Sequence, residues 1–178
     1  MYPIINNIKI REGLTLPQEF EISFDLYVYS NKGERQTVLR FTNTDKEHGV
    51  LGARIPMVRL DSGSNKLEIS FRIDGKDGWN VKTNDEIVLD AQNTVIIKQV
   101  QEGSAYKFKV FLNGTEQTTV GNNAPDVFEN VWLTTGEDNK NSVPVDGRIE
   151  NLRVWPGDTF TYLMLYFLRQ TFFAKSKC

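Results

Sequence analysis

The segment that decides the fold reads FEISFDLYV and spans residues 20–28. Apolar side chains occupy every second position from Phe20 to Val28, and the positions between them include Glu21, Ser23 and Asp25. Successive side chains of a β-strand point to opposite faces of the sheet. The alternation therefore predicts a strand with one face on a hydrophobic core and the other in water.

The same alternation recurs further along the chain, at Leu67–Ile73 and at Tyr106–Leu112. Asn113-Gly114 follows the second of these segments directly. An Asn-Gly pair favours a type I′ turn, because both central residues of that turn need positive φ. The sequence therefore predicts an antiparallel hairpin that continues into Thr115–Val120.

Weaker patterns predict further strands, and in several of them apolar residues stand at both even and odd positions, which indicates burial on both faces. These segments are Thr37–Thr42, Arg54–Leu60, Thr94–Gln99, Val127–Thr134 and Arg148–Val154. In the last one, alternation breaks near Glu150 or Asn151, which is typical of a β-bulge. Many short strands separated by turn clusters predict an all-β sandwich or a closed barrel.

The C-terminal segment, residues 158–178, differs from the domain predicted for residues 1–157. It is abruptly apolar between Phe160 and Phe173. A membrane-spanning helix needs about 20 apolar residues, and this stretch is shorter and interrupted by Arg169. It could be a terminal helix docked on the sandwich, an interfacial anchor, or sequence that is foreign to the natural domain.

The charges and the single cysteine exclude several classes of protein. The 21 basic and 23 acidic residues give a formal charge of −2 and are mixed along the chain, so nucleic acid is not an expected partner. Cys178 is the only cysteine, which excludes an intrachain disulfide and a thiolate metal cluster. Residues 1–10 lack the pattern of a signal peptide, which suggests a cytosolic protein or a domain of a longer secreted chain.

The strand motifs, taken in order, carry a family resemblance over residues 3–157. They are Phe20–Leu26, Val38–Thr42, Arg54–Pro56, Leu67–Phe71, Phe111–Gly114 and Gly147–Val154. In this order they resemble the concanavalin A-like lectins and glucanases, and specifically the laminin-G-like jelly-roll domains of invertebrate extracellular proteins. The resemblance implies two curved antiparallel sheets whose termini meet in one sheet, a ligand site among loops at the rim of the concave face, and an extracellular location.

Glycoside hydrolases built on this jelly roll place two or three carboxylates on one strand that faces a cleft. Glu19, Glu21 and Asp25 share a strand face here, but their spacing differs from the Glu-x-Asp-x-(x-)Glu pattern of those enzymes. His48 is the only histidine, so a Ser-His-Asp triad or a two-histidine metal site lacks its usual parts. We therefore interpret the three carboxylates as a solvated strand face and expect no catalysis.

The segment 74–80, which we expect to form a polar loop, is the best candidate for a ligand site. Sugars are bound by an aromatic platform beside amide and carboxylate groups, and this segment offers Trp79, Asn80 and Asp77. Arg54 could point into the same rim. Two alternatives stay open: Trp79 could be tucked over the end of the sandwich, and Arg54 could close a surface ion pair.

Calcium is the cofactor that such domains most often carry, according to the resemblance. Asp138 and Asn139, with Asp146 after the following loop, could form part of a calcium site, because calcium prefers carboxylate and amide oxygens. A solvated acidic turn is the alternative. Asn113-Gly114-Thr115 is in addition an N-glycosylation sequon, although the turn by itself explains these residues.

These observations predict a non-catalytic binding or adhesion module that recognises a glycan or an extracellular matrix protein at a loop rim. The alternative function is structural, with self-association through sheet edges or through the C-terminal segment. No transmembrane span is expected.

Overall fold

The computed structural model describes residues 1–5, 8–44, 50–136 and 143–156, and these residues form β-strands and no helix. The strands are β1 (Tyr2–Pro3), β2 (Ile8–Leu16), β3 (Phe20–Ser30), β4 (Gln36–Thr42), β5 (Met57–Leu60), β6 (Leu67–Ile73), β7 (Lys76–Lys82), β8 (Gln92–Glu102), β9 (Ala105–Leu112), β10 (Thr115–Asn122), β11 (Phe128–Thr135), β12 (Val143–Pro144) and β13 (Asp146–Trp155). The prediction of an all-β fold is confirmed. The apolar segment 158–178 lies outside the described residues, so its boundary and its role stay predictions.

The strands form two sheets that pack as a jelly-roll sandwich. One sheet has the order β1-β13-β3-β8-β9-β10, and the other has the order β2-β11-β4-β5-β6-β7, with the short β12 beside β4. Pairing is antiparallel except between β12 and β4. Tyr2 of β1 pairs with Ile149 of β13, so the two ends of the described chain meet in one sheet, as the resemblance implies.

The core lies between the two sheets and follows the alternation that the sequence shows. All five alternating apolar residues of the segment 20–28 are buried. At the centre, the ring of Phe71 on β6 stacks on the ring of Phe108 on β9 with centroids 4.5 Å apart, and Phe20 on β3 tilts against Phe71 at 5.6 Å. These aromatic contacts join one sheet to the other and are worth about 0.5–1.5 kcal/mol each beyond the area that they bury.

Two local predictions about the backbone are confirmed. Asn113 and Gly114 both have positive φ, 50° and 82°, and join β9 to β10 as a tight hairpin. In β13 the pairing with β3 shifts between Glu150 and Arg153, and Asn151 has a φ of 50°, which is the predicted bulge.

No helix among the described residues has the length and apolar character that a membrane span would need.

One segment differs from its expected structure. Residues 74–80 were expected to form a polar loop, but most of them belong to β7, which is the edge strand of the seven-stranded sheet. Asp74 and Gly75, with φ of 50° and 72°, form the tight turn that joins β6 to β7. An edge strand has a neighbour on one side only and buries few side chains, so β7 lacks the alternation that marks β3.

Candidate ligand-binding site

A cleft of about 440 Å³ opens at one side of the sandwich, where β7 of one sheet and β10 of the other are edge strands. Its lining consists of Ile73, Asp74, Lys76, Asp77, Gly78, Trp79 and Val120. The first six residues come from the β6–β7 hairpin, and Val120 comes from β10. Small-molecule sites usually enclose about 300–1,000 Å³, so this cleft has the size of a ligand site.

Trp79 provides the aromatic surface of the cleft and is also anchored in the core. It pairs across the strands with Phe71, which places both side chains on the core side of the sheet. Its ring meets the ring of Phe108 edge to face, with centroids 5.8 Å apart and an interplanar angle of 81°. The indole N–H donates no hydrogen bond to any residue that the structure describes. Trp79 is therefore both tucked against the core and exposed to the cleft as a rigid platform.

Asp77 is held in place by Arg72, which stands behind it. Arg72 donates from Nη1 to Asp77 Oδ1 at 2.9 Å and from Nε to Asp126 Oδ2 at 2.7 Å. Burial lowers the pKa of the Arg72 guanidinium, but the two carboxylates outweigh this and raise its pKa above the ordinary value. This pair of bonds ties β7 to the segment between β10 and β11, and it leaves Oδ2 of Asp77 without a hydrogen bond in the described part of the chain.

A second connection joins the same two walls of the cleft. The backbone N–H of Asp74 donates to Oδ1 of Asn122 at 2.9 Å, and the backbone N–H of Asn123 donates to Oδ1 of Asp74. The amide of Asn122 is itself buried and donates to Gln99 Oε1 at 2.6 Å. The width of the cleft is therefore defined by hydrogen bonds before any ligand arrives.

Lys76 supplies a cation to the cleft. It is exposed and forms no ion pair or hydrogen bond with a residue of the described ranges. The cleft residues Lys76, Asp74 and Asp77 therefore offer one donor group and two acceptor atoms, the ammonium and the two Oδ2 atoms, that form no hydrogen bond within the described ranges. Lys76 and Asp74 were not among the predicted site residues, although both lie in the segment 74–80.

The predicted residue Asn80 does not line the cleft. It pairs across the strands with Ser70, on the side of the sheet opposite to Trp79. Ser70 Oγ donates to Oδ1 of Asn80, and Nδ2 of Asn80 donates to the carbonyl of Gly78 at 2.6 Å. Its amide therefore stabilises the hairpin locally.

Arg54 lies on the other side of β7 from Trp79. With Val50, Ala53, Asp77 and Gly78 it lines a separate cavity of about 10 Å³, which is about the space of one water molecule. Burial lowers the pKa of Arg54, the nearby guanidinium of Arg59 lowers it further, and the carboxylate of Glu68 opposes them. The structure thus brings Arg54 and Trp79 to opposite sides of Asp77, and does not bring them into one site.

The face of the seven-stranded sheet that points away from the core, here called the outer face, is polar yet buried. Arg59 is 4% exposed and donates to Glu68, which is 6% exposed, and Arg35 lies 3.7 Å from the same carboxylate. Every residue of β4 and β5 is buried. The prediction that some strands are covered on both faces is therefore confirmed, but the buried ion pair itself was not foreseen.

The carboxylates considered for catalysis do not line the cleft. Glu21 and Asp25 alternate with core residues of β3 and so point away from the core. Burial raises the pKa of Asp25, but hydrogen bonds from Asn151 Nδ2 at 2.7 Å and from Thr94 Oγ1 at 2.8 Å outweigh it, so the pKa lies below the usual value. Glu19 accepts a bond from a backbone N–H. Structural hydrogen bonds therefore already occupy part of the accepting capacity of these carboxylates.

Two of the three predicted calcium ligands, Asp138 and Asn139, lie outside the described ranges. His48, the only histidine of the sequence, lies outside them as well. Asp146 is described, is exposed, and accepts a hydrogen bond from Ser30 Oγ at 2.9 Å. Within the described residues no group of three or more His, Cys, Asp or Glu side chains could hold a metal ion. Calcium takes six to eight oxygen ligands, so Asp146 cannot form a site alone and the calcium site stays a prediction.

The chain is similar to one known family and to several solved structures. The profile of the concanavalin A-like lectin/glucanases superfamily matches residues 6–159. Among curated protein sequences, the comparison found no match. Solved structures do match, and three of them, a pentraxin, a carbohydrate-binding module and a pair of laminin domains, are given next.

A heptameric SAP-like pentraxin from Limulus polyphemus aligns with a TM-score of 0.58 and 10% identity, over 86% of this chain and 73% of the pentraxin. The CBM40 module of the Ruminococcus gnavus IT-sialidase, bound to α2,3-sialyllactose, aligns with a TM-score of 0.58 and 21% identity, over 84% and 88% of the two chains. Domains LG4-5 of the mouse laminin α1 chain align with a TM-score of 0.52 and 13% identity, over 83% and 40%. At these identities the likeness establishes the fold alone.

Proposed function

Since this chain belongs to the concanavalin A-like lectin/glucanases superfamily, we propose that it is a non-catalytic module that binds a glycan in the cleft between β7 and β10. The observation that carries the proposal is the side chain of Trp79, which lies in a cleft of ligand size beside the charged groups of Lys76 and Asp77. Carbohydrate-binding modules and laminin G domains among the structural neighbours support this class of function.

The chemistry of the cleft suits a saccharide. A sugar ring has an apolar face, which can lie against the indole of Trp79, and a rim of hydroxyl groups. The carboxylates of Asp74 and Asp77 can accept hydrogen bonds from hydroxyls, and the ammonium of Lys76 can donate to a ring or hydroxyl oxygen. Because Phe108 and the hydrogen bonds of the hairpin already hold the platform in place, little ordering entropy is lost on binding.

The proposal includes the absence of catalysis and an extracellular location. Glu19, Glu21 and Asp25, the carboxylates with a strand position like that of glycosidases, lie away from the cleft, which supports binding without hydrolysis. Laminin G-like domains are typically extracellular, and the family match and the likeness to laminin domains support that location for this chain.

The alternative is assembly through sheet edges or through residues 158–178. The exposed edge strand β7 carries the charges of Lys76, Asp77 and Lys82, and charged side chains on an edge oppose pairing with a second sheet. This observation favours ligand binding over edge-to-edge assembly. Sedimentation of the full chain, and of a variant that ends at residue 157, tests the alternative directly, since assembly that is lost with the segment would support it.

The experiment that tests the proposal is a glycan array followed by calorimetric titration of the best ligand. Trp79→Ala is expected to weaken binding about 30-fold or more, because a central aromatic residue of a site is worth about 2 kcal/mol or more. Trp155→Ala is the matched control, since Trp155 is exposed on β13 and does not line the cleft. Circular dichroism of each variant shows whether the sandwich is intact. Equal binding by wild type and folded Trp79→Ala would refute the site.

A further inference from the structure

We propose that the cleft selects uncharged glycans and discriminates against acidic ones, such as sialylated or sulfated sugars. This inference rests on the proposed function and specifies the ligand class of the same site. It depends on the charged groups in and behind the cleft and on the hydrogen-bonding capacity that they retain.

The charge of the cleft is negative on balance. Asp74, Lys76 and Asp77 line it, and Arg72 with Asp126 stands directly behind Asp77. Among the residues that line the cleft, two carboxylates stand against one ammonium, which leaves a net charge of −1. Of the two cations, Arg72 is already engaged by two carboxylates, which leaves Lys76 to attract an anion. An acidic group in the cleft would stand close to the carboxylates of Asp74 and Asp77 and be repelled by them.

The hydrogen-bonding groups of the cleft match hydroxyls better than anions. Asp74 and Asp77 each use one oxygen for a structural bond and keep Oδ2 as an acceptor. Acceptors on charged carboxylates form strong bonds with hydroxyl donors, which an uncharged sugar offers at several ring positions. A carboxylate or sulfate on the ligand has no proton to donate and would leave these acceptors unsatisfied.

The arginines of the outer face do not change this balance. Arg54 reaches Gly78 from the far side of β7, where it lines the cavity of about 10 Å³. A cavity of that size holds about one water molecule and has no room for a sugar ring. Arg35 and Arg59 surround Glu68 and do not line the cleft. An acidic glycan in the cleft would therefore not reach this cluster of cations.

The test uses matched pairs of probes: lactose and α2,3-sialyllactose, and neutral array glycans with their sulfated derivatives. The uncharged member of each bound pair is expected to bind about tenfold more tightly or better, which corresponds to one charge repulsion of moderate strength. Its affinity is expected to change less than about twofold between roughly 0.05 and 0.5 M salt, because no ion pair with the ligand is screened.

Two variants separate electrostatics from shape. Asp74→Asn and Asp77→Asn combined keep the side-chain volumes and remove two negative charges, so the preference for the uncharged probe is expected to fall about tenfold. Lys76→Gln keeps a hydrogen-bond donor and removes the cation, so the preference is expected to grow. Acidic probes that bind as tightly as their neutral partners would overturn this inference and leave the proposed function intact. Binding of no glycan, with Trp79→Ala equal to wild type, would overturn both.

Discussion

Glu68→Gln is the perturbation that tests the buried polar outer face most directly. Glu68 is 6% exposed and accepts a bond from Arg59, which is 4% exposed, and the guanidinium of Arg35 lies 3.7 Å from its other oxygen. Arg54 is close enough for its charge to interact with the same carboxylate. Glutamine keeps the size of the side chain but removes a negative charge that these three guanidinium groups share.

The expected loss of stability follows from the burial of the pair. Removing one partner of a buried ion pair costs about 3–5 kcal/mol, because it leaves the other charge uncompensated. Glutamine keeps an oxygen that can accept from Arg59, so we expect a loss near the lower limit, about 3 kcal/mol. The side chain of Arg35 is half exposed, so its share is small. For a domain of this size, about 3 kcal/mol lowers the melting temperature by roughly 6–12 °C.

The assay is urea and thermal unfolding followed by circular dichroism. The control is Glu102→Gln, since Glu102 pairs with Lys107 and Lys109 on the surface and its loss is expected to leave the melting temperature close to that of the wild type. In a double-mutant cycle, Glu68→Leu with Arg59→Met is expected to cost less than the sum of the single changes. A melting temperature unchanged by Glu68→Gln, or strict additivity in the cycle, would refute the reasoning.

Three further changes test the backbone, the core and a titrating group. Gly147→Ala would place its Cβ 2.1 Å from the carbonyl oxygen of Tyr27. We therefore expect β13 to lose its register and urea unfolding to show that the free energy of unfolding falls by about 3 kcal/mol or more. A variant as stable as the wild type would contradict this close approach. Phe71→Ala removes the ring that stacks on Phe108 and is expected to cost about 3–5 kcal/mol in the same assay, whereas a cost under about 1 kcal/mol would show that the core collapses to fill the space. The lowered pKa of Asp25 means that its charged form stabilises the fold above the unfolded pKa of 3.8, and that this stability is lost as the pH falls through the folded pKa. Asp25→Asn should therefore cost about 1–3 kcal/mol near pH 7 and clearly less near pH 2, and an equal difference at both pH values would contradict the assignment.

The strands that were predicted most directly are those in which apolar and polar residues alternate. In β3, β6 and β9 the core residues stand at every second position, and a local pattern of that kind needs no knowledge of neighbouring strands. The Asn113-Gly114 turn was equally local. β2 and β7 were missed because each is an edge strand with mixed polarity. The Asp74-Gly75 pair was a usable hairpin signal for β7, since Asp-Gly favours the same turn as Asn-Gly.

The candidate site was only half predictable. Trp79 and Asp77 were singled out by residue type, and both line the cleft. Asn80 stood next to them in the sequence, but side chains alternate along a strand, and this one bonds to Ser70 on the opposite side of the sheet. Arg54 was assigned to the same rim and is separated from Trp79 by β7 itself.

The sequence by itself determined that the chain is all-β, because the alternation of apolar and polar side chains is a property of each strand taken alone. It also singled out, by residue type, the polar segment around Trp79 as the candidate ligand site. Only the tertiary structure decided where those groups meet. The cleft requires Val120 of β10 to lie beside the β6–β7 hairpin, and the buried pair of Arg59 and Glu68 requires β5 beside β6. Such partners are set by how strands pair and how the two sheets close on each other, and these are long-range choices that no local pattern encodes.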